Sequence, residues 1–311
     1  MTRSALASWI IRVAVSVTVV VILFRIIPSR AVLDALRHIS KWTWGASLGI
    51  FCGGHYLNAI KLRLIVGRPV PLSTFVQAQY AGLVANLGLP GLAGGDLARA
   101  TYLVPAVTKK RVALASVADR MLDTLTLVVL IAIALLVAGV PAPIAEIVRR
   151  ASRWLVGAAV VGAVLVGVVL RRKGTLSNEF VSFWDEIWQR RVSMAAAVAI
   201  SFSVQSAFVL TNAMLAREAG VTTGLAAWFV GWPASKLVAV LPISLGGIGV
   251  REAALVTLMA PYGAPREDVL ATGILWQGVL TVSGLGGLIV TQWLRRSASK
   301  RERRASSPGT A

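Results

Sequence analysis

Apolar runs long enough to cross a bilayer alternate with short basic stretches along almost the whole chain. A spanning helix needs about 17 to 25 predominantly apolar residues. Six runs have that length and predict full spans: 9–27, 44–66, 112–140, 154–170, 192–215 and 269–294. Two further apolar segments, 74–104 and 225–260, are interrupted and predict helices broken in the middle. The polar connector 171–191 follows another period. Its Leu176, Phe180, Phe183, Trp184, Ile187 and Trp188 share one helical face. That predicts an amphipathic helix, either lying on the membrane surface or packed on the spans.

Both interruptions carry the same pattern, L-P-x-x-x-G-G-x-x-x-R, at residues 89–99 and 241–251. Every matched position is displaced by 152 residues, as from Leu89 to Leu241 and from Arg99 to Arg251. The same displacement carries 44–66 onto 192–215 and 112–140 onto 269–294. The chain therefore reads as one transmembrane domain, 1–294, made of half-repeats 5–140 and 154–294 that join near 140–153. Residues 295–311 read as a disordered basic tail. In lipid, a broken helix survives only where its bared backbone is buried in protein or lines a cavity. Paired breaks in two halves point to a transporter's binding site.

Lys and Arg counts discriminate between two topologies. If each broken segment turns back as a re-entrant hairpin and both termini are cytoplasmic, about two-thirds of the loop and tail basics fall inside, as the positive-inside rule requires. If each crosses once, the two faces are nearly balanced. Arg149, Arg150 and Arg153 fall outside in the first arrangement and count against it. Three spans per half also invert the second half relative to the first. The expected fold is all-α, with six full spans and two opposed re-entrant hairpins in an inverted repeat.

Composition agrees with a polytopic membrane protein: 56% hydrophobic residues, with mean hydropathy +0.74. The net charge of +19 flanks apolar spans, so its partner is anionic lipid and not nucleic acid. A single Cys52 excludes an internal disulfide, and His38 and His55 alone make no metal site. No cofactor is expected. No nucleotide loop is present, so movement of a substrate would be passive or ion-coupled.

This topology assigns Lys61, Arg63 and Arg68 to a cytoplasmic loop. It leaves Arg99, Arg120, Lys236 and Arg251 in apolar surroundings, with Asp96, Asp119, Asp123 and Glu252. Each costs roughly 2.5 to 3.5 kcal/mol at mid-helix unless relieved. Arg99 and Arg251 are expected in the first turn of each hairpin's second arm, four residues after Gly94-Gly95 and Gly246-Gly247. Glycines admit close backbone approach, a helix start presents free N–H groups, and arginine offers a fork for phosphate. That constellation suits an anionic headgroup, with Lys236 as a further phosphate contact. The plainer alternative is that both arginines pair with the acids and hold the fold. Asp96, Asp119, Arg120, Asp123 and Glu252 would position the arginines or gate the site. Asp119 and Asp123 face one way, or simply mark the cytoplasmic end of their span. His55 and Asn58, one turn apart, are expected to bond across helices.

The successive motifs Gly94-Gly95-Asp96-Leu97-Ala98-Arg99, Ala118-Asp119-Arg120-Met121-Leu122-Asp123 and Leu241-Pro242-Ile243-Ser244-Leu245-Gly246-Gly247-Ile248-Gly249-Val250-Arg251-Glu252 resemble the lysylphosphatidylglycerol synthase transmembrane region, a flippase-like family. The resemblance extends over roughly 5–295. It implies an integral inner-membrane protein that moves, or helps to move, a lipid or lipid-linked headgroup between leaflets. No aminoacyl-transferase domain is expected after the last span. Two other functions stay open: an accessory protein of a lipid-synthesis enzyme, and a membrane-embedded transferase or phosphatase. The second lacks any visible nucleophile, base pair or metal cluster.

Overall fold

A computed structural model describes residues 37, 39–88, 92–139, 174–239 and 249–306. The expected spans 9–27 and 154–170, the joint 140–153, and Gly246 and Gly247 lie outside the described residues. Among the described residues every regular element is helical: α1 Lys41–Val66, α2 Leu72–Gly88, α3 Leu92–Leu103, α4 Lys109–Ala138, α5 Gly174–Gln189, α6 Arg191–Glu218, α7 Leu225–Ala239, α8 Val250–Met259 and α9 Arg266–Ser306. Among the described residues three helical stretches are long and apolar enough to cross a membrane: Lys109–Val137, Arg191–Glu218 and Arg266–Gly287. The protein is an integral membrane protein. In α4 the two faces separate cleanly. Val117, Met121, Leu125 and Val128 are exposed, while Ala115, Asp119 and Thr126 are buried.

Sequence signals start and stop these helices. Ser40 caps α1, its hydroxyl accepting from Thr43 N, and Gly67 ends it in the left-handed region at φ 68°. Thr108 caps α4 through Arg111 N. Helix α9 runs on to Ser306, through the stretch from Arg295 where composition predicts disorder. Apart from Ser297, Ser299 and Ser306 that stretch is built from Arg, Lys, Glu and Ala, which are good helix formers, and it continues a helix already nucleated upstream.

Helices α1 and α6 pack along each other in opposite directions. At one end Ser40 N, just before α1, donates to Glu218 Oε2 at the close of α6 at 2.6 Å. At the other end Arg190, just before α6, donates to Leu64 O near the close of α1 at 3.2 Å. Each broken segment forms an antiparallel helix pair. In the first, Gly82 faces Arg99 and Gly95, and Gly95 faces Asn86. In the second, Gly231 faces Met259 and Leu255.

The first pair starts and finishes where α1 ends: Arg68, Val70, Ala106 and Lys110 line one cavity there. The second starts and finishes where α1 begins, with Gly220 against Asp268. The two pairs therefore enter the bundle from opposite ends. Their packing is reciprocal: α2 lies on α9 and α7 on α4, α1 meets α2 as α6 meets α7, and α3 meets α4 as α8 meets α9.

Candidate functional site

A span that carries several charged residues must bring them together, because in lipid there is no water to pay for their burial. Six of the charged groups meet where α1, α3 and α4 converge. Asp119 and Asp123, one turn apart on α4, both point at Lys61 of α1. Lys61 Nζ lies 2.5 Å from Asp123 Oδ1 and 3.0 Å from Asp119 Oδ1, and the lysine is wholly buried. Ser201 of α6 donates to Asp123 at 2.7 Å. On the other side of Asp119, Arg99 Nη1 stands 3.5 Å from Asp119 Oδ2 and 3.5 Å from Asp96 Oδ1. Arg120 closes the set by donating to Asp96 through Nη2 at 2.8 Å and Nε at 3.2 Å. Three cations thus balance three carboxylates. Arg120 and Asp96 are its more open members, with side chains 35% and 27% exposed.

The other charges gather on α7 and α8. Gly249, at φ 80°, turns the chain into α8 through a conformation that side chains disfavour. Its N–H donates to Glu252 Oε2 at 2.7 Å, which places an acid at the positive end of the helix. Arg251 donates to the same carboxylate through Nε at 3.0 Å and also through Nη2. It further donates to Gln277 at 3.1 Å and lies over the Trp232 ring. One turn on from Trp232, Lys236 donates to Gln205 Oε1 at 2.8 Å and sits over Phe208. Gln205 is one turn from Ser201, so α6 joins the two groups. Between them Phe51, Phe208, Trp276 and Trp232 stack in edge-on and offset pairs.

A model of one family, the lysylphosphatidylglycerol synthase TM region, matches residues 9–286. The chain belongs to this family. Membership connects this membrane protein with lipid handling. Comparison with curated proteins gives no match.

Within this lysylphosphatidylglycerol synthase TM region the expected site residues divide. Asp96, Arg99, Asp119, Arg120 and Asp123 come together, Arg251 pairs with Glu252, and Lys236 stands one helical turn from the Trp232 ring under Arg251. Asp119 and Asp123 lie well inside α4, about 15 and 21 Å from its start at Lys109 by helical rise, so they do not mark its end. Both arginines do pair with acids. Only Arg251 sits in a first helical turn. Helix α3 begins at Leu92, ahead of the glycine pair, so Arg99 lies two turns in, about 10 Å from the helix start. Gly94 and Gly95 are accordingly buried helix positions. Gly95 serves close packing, since a Cβ there would overlap Asn86.

Lys61 corrects the assignment of that residue to a loop. It lies inside α1 and holds two aspartates. A polar stripe betrays it: His55, Asn58 and Lys61 recur every three residues in an otherwise apolar run. His55 Nδ1 meets Gln79 Nε2 across α1 and α2 at 2.8 Å, as expected of a cross-helix bond. Gln79, Ser201, Gln205 and Gln277 also join the site without having been singled out by sequence. Each is an uncharged polar residue in a largely apolar stretch, so neither charge nor motif spacing raises it.

Proposed function

We propose that the protein is flippase-like: it binds the anionic headgroup of a lipid in its charged interior and moves it between leaflets. One observation carries this reading. Among the described residues the interior sets Lys61, Arg99, Arg120, Lys236 and Arg251 against Asp96, Asp119, Asp123 and Glu252, leaving one positive charge in excess. Among the described residues Lys236 meets an amide oxygen and an aromatic face in place of a carboxylate. Asp123 attracts it from beyond salt-bridge reach and is already engaged by Lys61. A buried cation that must share its counter-ion is expensive, and an anionic headgroup relieves that cost. Arg251 and Lys236 are the headgroup contacts, with Arg99 on the far side of the network. Gly94, Gly95, Gly246 and Gly247 let backbone come close, and Asp96, Asp119, Arg120, Asp123 and Glu252 hold the arginines in place.

The opposed helix pairs and the antiparallel α1 and α6 support an inverted repeat with two re-entrant hairpins and six full spans. The end bearing Arg63, Arg68, Lys109, Lys110, Arg111, Arg190 and Arg191 is the cytoplasmic one, with both termini on that side of a bacterial inner membrane. The protein itself catalyses no covalent step in this reading.

Lys236→Gln tests the proposal with little structural damage, because it strands no carboxylate. In proteoliposomes the wild type should exchange fluorescent anionic lipids between leaflets. Lys236→Gln and the charge-neutral pair Arg251→Gln/Glu252→Gln should each slow exchange about tenfold or more, the loss of about 1.4 kcal/mol or more of headgroup interaction. A folded wild type that moves no anionic lipid sinks the reading and favours an accessory role beside a lipid-synthesis enzyme.

A further inference from the structure

One titratable group of the interior takes no part in pairing charges. His55 stands on α1 about 21 Å from Lys41 and about 16 Å from Val66 by helical rise. That puts it near the middle of the bilayer, where transporters place sites that face each side in turn. It is the one imidazole among the described residues. Gln79 of α2 meets its Nδ1 at 2.8 Å. The rings of Phe51 and Phe208 lie 4.4 and 5.9 Å from it, and Lys236 sits over the same Phe208 ring. The charged groups around it are Lys61 of its own helix, Arg99 of α3, Asp123 of α4 and Lys236 of α7. Of the other elements packed on α1, α2 adds the Tyr80 hydroxyl, which donates to Cys52 O, and α9 presents Trp276 to Phe51. Polar atoms also lead to His55. Asn58 Oδ1, Gln79 Oε1, Asn86 Oδ1 and Arg99 Nε are buried and meet no partner among the described residues. Gln79, Gly82 and Asn86 share one face of α2, with Gly82 facing Arg99. Buried polar atoms of this kind hold ordered water, and water carries protons.

We propose that His55 carries a proton across together with the anionic headgroup, so that lipid movement is driven by a proton gradient. This coupling rests on the flippase-like reading. The described interior holds one positive charge in excess while the imidazole is neutral, and a proton on His55 makes the excess two. A monoanionic headgroup at Lys236 and Arg251 lowers it by one. Proton and headgroup therefore bind in each other's favour, and linkage makes the effect reciprocal. The other titratable groups are less free to change charge: Asp96, Asp119, Asp123 and Glu252 are each engaged by a cation, and the arginines stay protonated. Histidine changes charge near neutral pH. Gln79 suits both of its states. The neutral ring accepts from Gln79 Nε2 at Nδ1, whereas an imidazolium donates there, and a half-turn of the amide offers it Oε1, the atom that has no partner. One proton joins the imidazole from the solution on one side as one headgroup enters, and both leave on the other. The pair carries no net charge, and no bond of the lipid is broken.

The test reads the final distribution of a fluorescent phosphatidylglycerol between the leaflets of proteoliposomes holding the full chain, against protein-free vesicles. With a gradient of one pH unit and the membrane potential clamped at zero, the lipid should gather at least about twofold in the leaflet facing the less acidic solution. One proton per lipid sets a limit of about tenfold. A potassium potential without a pH gradient should leave the leaflets equal. His55→Gln and His55→Asn, checked for folding by size exclusion, should exchange lipid and leave the leaflets equal under the pH gradient. A final ratio does not depend on rate, so a variant that is merely slower still reaches the wild-type value. Wild-type exchange that ignores the pH gradient, or that answers to potential alone, overturns the coupling and leaves the flippase-like reading standing. A wild type that exchanges no lipid overturns both. A variant that still builds the gradient-driven ratio, or loss of all exchange in both variants, overturns the assignment to His55.

Discussion

Replacing Lys61 by methionine keeps the volume and the helix and removes only a charge. Asp119 and Asp123 would then share a buried pocket with no cation between them, since Arg99 reaches only the far oxygen of Asp119. Removing one partner of a buried pair costs about 3 to 5 kcal/mol. Lys61→Met should therefore lower the melting temperature of the detergent-solubilised protein clearly, and Lys61→Met/Asp123→Asn should recover part of the loss. If the single and double variants melt alike, the lysine is not the counter-ion of Asp123. The carboxylates and arginines were legible in the sequence because charge in an apolar run is rare. Their partner was not, because Lys61 stands two residues from Arg63, which is exposed. Proximity to a helix end assigned both to one loop. Only the three-residue recurrence of His55, Asn58 and Lys61 separates the buried cation from the exposed one.

Element existence followed from apolar length, and the bounds of α1, α4 and α6 differ from the expected ones by only a few residues. The break in the first pair did not follow so closely. Gly94 and Gly95 suggest the turn itself, yet α3 already begins at Leu92, because a helix tolerates glycine when small residues let its partner approach. The amphipathic period of 174–189 was also visible. Helix α5 packs against α4 and α6 with Phe183 buried, while Trp188 faces outward, so it is docked on the bundle and still offers an aromatic edge to the membrane surface. Its anchor is Glu186, whose carboxyl the Arg111 guanidinium holds below the usual glutamate range. A depressed folded pKa means that this anchoring is fully present above the ordinary glutamate value, roughly 4.3. It fades as pH falls from there through the lowered value. Hydrogen exchange in 182–189 should accordingly rise as pH drops below about 4, once corrected for intrinsic rates, and Glu186→Gln should show raised exchange already at neutral pH. Exchange insensitive to both changes would mean that apolar packing alone holds α5.

The two ends of the bundle differ in charge, which fixes an expected orientation for the molecule as a whole. The end where α1 closes and α4 begins is crowded with Lys and Arg, while the opposite end sets Glu218, Glu267 and Asp268 among Arg37, Lys41, Arg217 and Arg266. With Cys52→Ser as background, an impermeant maleimide applied to intact cells should label Thr222→Cys and spare Ser182→Cys. The reverse pattern inverts the orientation. The recurrence of one motif at a fixed displacement was legible in the sequence. What it does to packing was not, since a displacement says nothing about which half each helix touches. Here α2 rests on α9 and α7 on α4, so each broken helix leans on the long helix of the other half. That exchange has a consequence during synthesis. Helix α2 is complete at Gly88, but its companion begins only at Arg266, roughly 10 to 35 s later at about 5 to 20 residues per second. Through that interval the nascent first half holds α2 packed on α1 and α3 alone, with its face for α9 uncovered. Separately expressed fragments 1–152 and 153–311 should each be degraded in the cell, yet accumulate together when co-expressed. Survival of either fragment alone would show that a half completes its own packing.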